Sequence, residues 1–263
     1  MLRFCSVLVL CSVATLPLCA QDNAPSSVTI VPNSQGAPIQ HAPDGASRLM
    51  IQNIDIPAIP NAPFSAIVVA ESTTIMPDGS KRSIWNHRLV ARDSSGRVFQ
   101  ERRFLTPTGN VEETPISELD FQDPNLKELT ICNPQTKICE VHPLRPQFTP
   151  PPATASRPAK LTFPNGTTVE NQDLGMQMIE ELQCLGSREI TTIPGAVLGS
   201  DKPQPVVKEF WYSSQLGFNV VTKRFDPRVS VMQNFTVTEI NRAEPDPKNF
   251  AVPSQYHVVQ AAR

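Results

Sequence analysis

Beyond residue 20 the chain has no apolar run approaching the roughly 20 residues of a membrane-spanning helix that is free of charge and proline. An excess of one charge sign is also missing. The 23 basic and 25 acidic side chains give a net charge of -2, so no global positive field exists to hold a nucleic-acid backbone. Histidine is scarce, limited to His41, His87, His142 and His257. None sits in a His-Glu-x-x-His helix, and neither a Gly-x-Ser-x-Gly elbow nor a glycine-rich phosphate loop accompanies them. Nucleophilic catalysis needs a hydroxyl or thiol, a base and a third orienting group, and no spacing here assembles that set. These absences describe a non-enzymatic protein with no cofactor, no metal and no nucleic-acid partner.

Glycine is sparse at 11 residues while proline is abundant at 27, a density that excludes a long helical bundle. The 40% hydrophobic content is too high for a disordered chain. At the start, Met1-Leu2-Arg3 is positive, Phe4 to Leu18 is apolar, and Leu18-Cys19-Ala20 precedes Gln21 as a small-residue cleavage site. Residues 1–20 therefore read as a secretory signal peptide, cleaved near Ala20, and the mature chain as secreted or periplasmic with no transmembrane span. Leu18 stands where a bacterial lipobox carries Gly, Ala or Ser, which weighs against a lipid anchor at Cys19.

Residues Asp22 to Pro63 hold seven prolines and few charges, the pattern of an extended linker or of a segment draped over a domain. From Pro63 onwards the chain reads as strands: Phe64 to Met76, the turn Pro77-Asp78-Gly79, Ser80 to Arg92, the turn Asp93-Ser94-Ser95-Gly96, and Arg97 to Leu105. Glu128 to Cys132 and Ile138 to Val141 form a hairpin. Pro143 to Pro164 then packs seven prolines into 22 residues, where neither strand nor helix is expected. Further strands are expected at Thr167 to Leu174, Gln177 to Cys184, Arg188 to Ile193, Val206 to Tyr212, Phe218 to Phe225, Val231 to Arg242 and Gln255 to Val259. The fold class is mainly β, with little helix: a curved, partly closed antiparallel sheet of half-barrel form. The expected organisation is a signal peptide at 1–20, a proline-rich linker at 21–62, and one β domain at 63–263 with a proline-rich loop at 143–164.

Cleavage would remove Cys5, Cys11 and Cys19 and leave Cys132, Cys139 and Cys184 in an oxidising compartment. Cys132 and Cys139 flank the turn-rich Asn133 to Lys137, so a cross-strand disulfide is expected; its small loop stabilises by about 2 kcal/mol. A zinc site from Cys132, Cys139, His142 and Cys184 is disfavoured, because structural knuckles place their thiols two to four residues apart and these have six residues between them. Charge is segregated locally. Lys81, Arg82, Arg88, Arg92, Arg97, Arg102 and Arg103 stand against Asp93 and Glu101, while Glu112, Glu113, Glu118, Asp120, Asp123 and Glu128 follow with only Lys127. Two readings stand side by side. The acidic segment folds over the arginine face, or Arg82, Arg88, Arg92, Arg97 and Arg102 form an anion-binding surface for lipid headgroups or envelope polymers. The aromatics Trp85, Phe210, Trp211, Tyr212 and Phe218 are candidates for a concave ligand surface, with core packing as the competing account.

The later half also carries Thr192-Ile193-Pro194-Gly195, Glu209-Phe210-Trp211-Tyr212-Ser213, Lys223-Arg224-Phe225-Asp226-Pro227-Arg228 and Ala243-Glu244-Pro245-Asp246-Pro247, leading to Phe250-Ala251-Val252-Pro253. With Pro63-Phe64-Ser65-Ala66 and Arg92 to Arg97, this vocabulary resembles a group of secreted acidobacterial proteins of unassigned function, from about Pro63 to Tyr256. The terminal pattern of a proline-flanked Phe, Val-Pro and an aromatic also resembles the periplasmic lipoprotein-carrier superfamily of LolA, LppX and RseB-like proteins. That resemblance implies a curved, unclosed antiparallel half-barrel whose concave apolar side takes acyl chains or a protein partner; the chain departs from it in having no clear lid helices. The first functional expectation is an envelope protein whose concave β surface holds a lipid, an acyl chain or a lipidated partner. The alternative is an interaction or sensing module that recognises another envelope protein through a sheet edge or the proline loop, with no small ligand.

Overall fold

The structure, a computed structural model, describes residues 29–31, 54–108, 114–145 and 158–261. The expected signal peptide with Cys19, most of the linker and the centre of the proline loop lie outside the described residues. In chain order the strands are β1 (Thr29–Val31), β2 (Phe64–Ile75), β3 (Lys81–Arg92), β4 (Val98–Arg103), β5 (Thr106–Pro107), β6 (Ile116–Asp123), β7 (Glu128–Asn133) and β8 (Ile138–Pro143). They continue with β9 (Lys160–Thr162), β10 (Thr168–Ile179), β11 (Leu182–Ile193), β12 (Gln204–Ser213), β13 (Phe218–Asp226), β14 (Val231–Asn241) and β15 (His257–Gln260). The only helical pieces among the described residues are Gly195–Leu198 and the 3-10 turn Pro247–Phe250.

All fifteen strands belong to one open, curved sheet, in the order β1-β9-β10-β11-β12-β13-β14-β2-β3-β4-β6-β7-β8-β15, with β5 added at the side of β3. Every pairing is antiparallel except β8 with β15. The two halves of the chain are stitched at the β14–β2 pair, where Val237 lies opposite Val68 and Phe235 opposite Ala70. Alternation drives this. Phe64, Ala66, Val68 and Ala70 on β2 point to one face and are buried, with Ser65, Ile67 and Val69 half-buried between them. The main core joins them to Val90, Phe218, Val220, Phe235 and Val237, so it draws on both halves. A second core forms around Phe99, Leu119, Phe121 and the Cys132–Cys139 disulfide, and Phe250, Val252 and Tyr256 return from the C-terminal part to pack on it.

The turns follow local chemistry. Asp78-Gly79 closes β2 to β3 with Gly79 at φ 82°, a left-handed conformation that costs a glycine nothing. The Asp93 carboxylate accepts from the backbone N–H of Ser95 and Arg97 and from Arg97 Nε at 2.7–3.0 Å, and so ties the β3–β4 turn to itself.

The structure revises several boundaries. Thr167 to Ile193 is two strands of 12 residues rather than three shorter ones. Their turn falls at Glu180-Glu181, which take φ 48° and 61° without glycine or asparagine. Lys160–Thr162 forms a strand inside the proline loop, in the proline-free window between Pro158 and Pro164. The acidic segment contributes a strand, β6, and folded structure begins ahead of Pro63: Ile54 and Ile56 are only 4% and 1% exposed and belong to the main core.

Candidate functional site

Strands β11, β12, β13, β14 and β2 lie side by side, and register sets their side chains in rows that cross all five. One row reads Arg188–Glu209–Lys223–Asn234–Glu71, each directly opposite the next on the neighbouring strand. The adjacent row reads Ile190–Val207–Phe225–Met232–Thr73. Both rows floor a cavity of about 560 Å³. Strands spaced about 4.8 Å apart make such a row about 19 Å long. The result is a groove running across the strands, apolar along one flank and polar along the other.

The polar flank is internally wired. Glu209 accepts from Trp211 Nε1 at 3.0 Å, from an Arg188 guanidinium nitrogen at 3.0 Å and from Lys223 Nζ at 3.4 Å. Burial pushes the Glu209 carboxyl up, but the bonds from Trp211 and Arg188 and the Lys223 charge outweigh it and hold the group below the usual carboxylate range. Arg188 and Lys223 are therefore balanced by Glu209 and Glu71, and the flank offers alternating donors and acceptors rather than a field of one sign. Lys223 keeps about half its side chain in solvent, so its ammonium has donors left for an incoming group.

The aromatics expected at a ligand surface divide between the faces. Trp85 lies opposite Glu71, so it continues the polar row onto β3; its ring stands 5.5 Å from that of His87. Trp211 sits one row along from Glu209, packed on Gly186, where a Cβ would come within 2.7 Å of the indole. Phe210, Tyr212 and Phe218 are 1%, 6% and 0% exposed, inside the fold. Between β12 and β13 the register shifts after Trp211, where Val220 of β13 is the extra residue; Phe210 and Tyr212 face inward by simple alternation.

The arginines are spread over distinct environments. Arg92 is fully buried and donates to the carbonyls of Ala62, Pro57 and Leu216 at 2.8, 2.8 and 2.9 Å, with its guanidinium 5.1 Å from the Phe64 ring. Burial pushes its pKa down to about 10, which leaves it charged at neutral pH. Arg88 is 4% exposed with its guanidinium 6.0 Å from the Phe235 ring. Arg97 is bound to Asp93, and Arg102 bridges Glu118 at 2.7 Å and Asp120 at 2.9 Å across the β4–β6 pair. The described part of the acidic segment includes β6, which pairs with β4 and brings Glu118 and Asp120 to Arg102. Arg82, near the β2–β3 hairpin tip, is exposed.

Cys132 and Cys139 form the disulfide across the β7–β8 pair, and Cys184 is a buried free thiol. Among the described residues no group of three or more His, Cys, Asp or Glu is placed to hold a metal ion. Of the groove-lining residues, Phe225 stands among the clustered aromatics of the sequence, and Glu209, Lys223 and Arg224 stand in its distinctive words without a ligand role; Trp85 and Trp211 are their neighbours. The alternation Val207, Glu209, Trp211 along β12 was the available signal, but it names a face and not the four strands beside it.

No family model matches the chain, and no curated relative is significantly similar to it. Similar solved structures include an uncharacterized conserved protein from Thermus thermophilus, 12% identical, TM-score 0.39, covering 76% of this chain and 91% of that one. The Pseudomonas aeruginosa MucA/MucB complex is 12% identical with TM-score 0.40, covering 78% of this chain and 60% of that one. A LolA superfamily protein from Nitrosomonas europaea is 11% identical with TM-score 0.30, covering 73% and 91%. Similarities of this degree transfer neither ligand nor partner to this chain.

Proposed function

We propose that this is a non-enzymatic exported protein that holds a lipid, an acyl chain or an acylated partner in the groove across β11, β12, β13, β14 and β2. The observation that carries the reading is the pairing of the two rows. Ile190, Val207, Phe225 and Met232 offer a continuous apolar track on which each buried methylene gains about 0.8 kcal/mol. Arg188, Glu209, Lys223 and Asn234 beside it meet the polar part of the same ligand. The described lining has no histidine, serine or cysteine, which favours binding over acyl transfer. Native mass spectrometry of the mature chain exported to a bacterial periplasm tests this. A co-purifying adduct of lipid mass is expected, lost on denaturation and absent from Val207→Arg with the circular dichroism unchanged. A bare protein that also fails to bind a fluorescent fatty-acid probe overturns it.

A second reading, recognition of an extended segment of another envelope protein, draws on β15. All four of its residues are exposed, and among the described residues it ends the sheet, with no proline, lysine or bulge in the strand to block a further one. A bare protein in the same experiment would move weight to this edge.

A further inference from the structure

Along β3 and its hairpin turn the surface carries exposed apolar and cationic side chains. Met76 in the hairpin turn is 40% exposed, and Phe104 and Leu105, between β4 and β5, are 55% and 43% exposed. This link is pinned along the outer side of β3. The Asn86 amide donates to the Arg103 carbonyl at 2.7 Å, Thr106 and Pro107 pair with Trp85 and Ile84, and the Thr108 N–H donates to the Ser83 carbonyl at 3.0 Å. Phe104 and Leu105 thus lie near Asn86, and four and five residues away along β3, about 14 and about 17 Å at about 3.4 Å per residue, come the exposed Arg82 and Lys81. The carboxylate of the hairpin tip, Asp78, is held by Ser80.

We propose that Met76, Lys81, Arg82, Phe104 and Leu105 form a docking surface for an anionic lipid bilayer. Two adjacent large apolar side chains held in water on a pinned link gain by entering the bilayer interface, where aromatic and aliphatic groups anchor peripheral proteins. Lys81 and Arg82 supply the complementary charge for lipid phosphates. Phe104 and Leu105 flank the middle of β3, and Lys81 and Arg82 lie at its hairpin end, so the apolar and cationic elements are spread along one strand. Position adds a further reason. Thr73, bonded to Ser83 at 2.6 Å, and Met232, 37% exposed and opposite Thr73, belong to the groove's apolar row, two residues along β2 from the Ile75–Lys81 pair at the hairpin end. A bilayer docked there meets the groove at its rim. The docking surface stands on its own residues and does not require the groove to hold a lipid.

The test is flotation of the mature chain with vesicles of phosphatidylcholine, alone or mixed in equal parts with phosphatidylglycerol, at low salt. Binding to the mixed vesicles is expected, with little to phosphatidylcholine alone and loss in about 0.5 M salt, where charges are screened beyond about 4 Å. The variant Lys81→Gln/Arg82→Gln should bind about 25-fold more weakly, roughly fivefold per cation. Phe104→Ser/Leu105→Ser should lose binding at every salt while its circular dichroism stays unchanged, since neither side chain belongs to a core. Absence of wild-type binding at low salt overturns the proposal, as does equal binding by the double serine variant; binding instead to an isolated envelope protein would identify the surface as a protein interface. Native mass spectrometry of the serine variant separates this proposal from the groove reading. A retained lipid adduct with lost vesicle binding upholds docking independently, whereas wild-type vesicle binding with neither an adduct nor binding of the fatty-acid probe defeats only the groove reading.

Discussion

Arg92 is a buried cation with three backbone carbonyls as its partners, and removing it should undo one particular piece of tertiary structure. Its fork joins the carbonyls of Pro57 and Ala62, in the segment ahead of β2, to that of Leu216, in the turn between β12 and β13. The same segment passes close over Gly217, where a Cβ would lie 2.4 Å from the Ile59 side chain, so the contact is tight as well as polar. In Arg92→Met the Ala62 and Leu216 oxygens lose the donor that Arg92 supplied, while the Pro57 carbonyl still accepts from the Ile59 N–H at 2.9 Å. At about 1 kcal/mol each, the low end for an unsatisfied buried acceptor, the loss is about 2 kcal/mol. The desolvation of the cation is recovered in the variant, which is why the low end applies. For a chain of this size each kcal/mol moves the thermal midpoint by about 2–4 °C, so a fall of about 4–8 °C is expected by far-UV circular dichroism. Arg92→Lys should recover only part of it, because an ammonium cannot span three carbonyls in a fixed plane. Hydrogen exchange should quicken first at residues 54–62. A midpoint within about 2 °C of wild type for Arg92→Met, with exchange at 54–62 unaltered, would refute the clamp.

Replacing Cys132 and Cys139 together by serine should cost about 2 kcal/mol and lower the urea midpoint without changing the m-value, since the bridge closes a short loop; an unchanged midpoint would mean that β6 and β15 alone hold the hairpin. Burial pushes the Cys184 thiol up to about 11, so iodoacetamide at pH 8 should leave the native mature chain untouched and label one site after denaturation without reductant. Gly186→Ala should drive the Trp211 indole off its platform, shifting tryptophan emission to the red and costing about 1–3 kcal/mol; identical spectra would contradict the close packing. At Asp226 burial raises the carboxyl pKa, but the bonds from Arg228 and Arg224 prevail and depress it below its ordinary value. The stabilisation is thus present above about pH 4 and lost as pH falls through the depressed folded value. Asp226→Asn should be less stable at pH 7, and its gap to wild type should close as pH falls through the depressed folded value.

Local chemistry made much of the architecture legible. Proline density, alternating strands and the Asp-Gly turn each act over a few residues, and the spacing of Cys132 and Cys139 about a turn sequence was enough to pair them. The turn at Glu180-Glu181 was not legible, because two glutamates carry no left-handed preference and the flanking 12-residue strands impose one. Charge illustrates the same limit. The opposite signs of residues 81–103 and 110–128 suggested their approach, yet whether an arginine reaches a carboxylate, as Arg102 does, or three backbone carbonyls, as Arg92 does, depends on which segment covers it.

The sequence by itself determined a mostly β chain, its short-range hairpins and its disulfide, since each of these depends on residues close together or on composition. Tertiary structure alone decided the groove. Glu71, Arg188, Glu209, Lys223 and Asn234 come from five strands scattered across more than half the chain, and only strand order and register place them in one row. A shift of one residue in any of those pairings would send its side chains to the opposite face, so a site made of cross-strand neighbours exists only once the whole sheet has settled into its register.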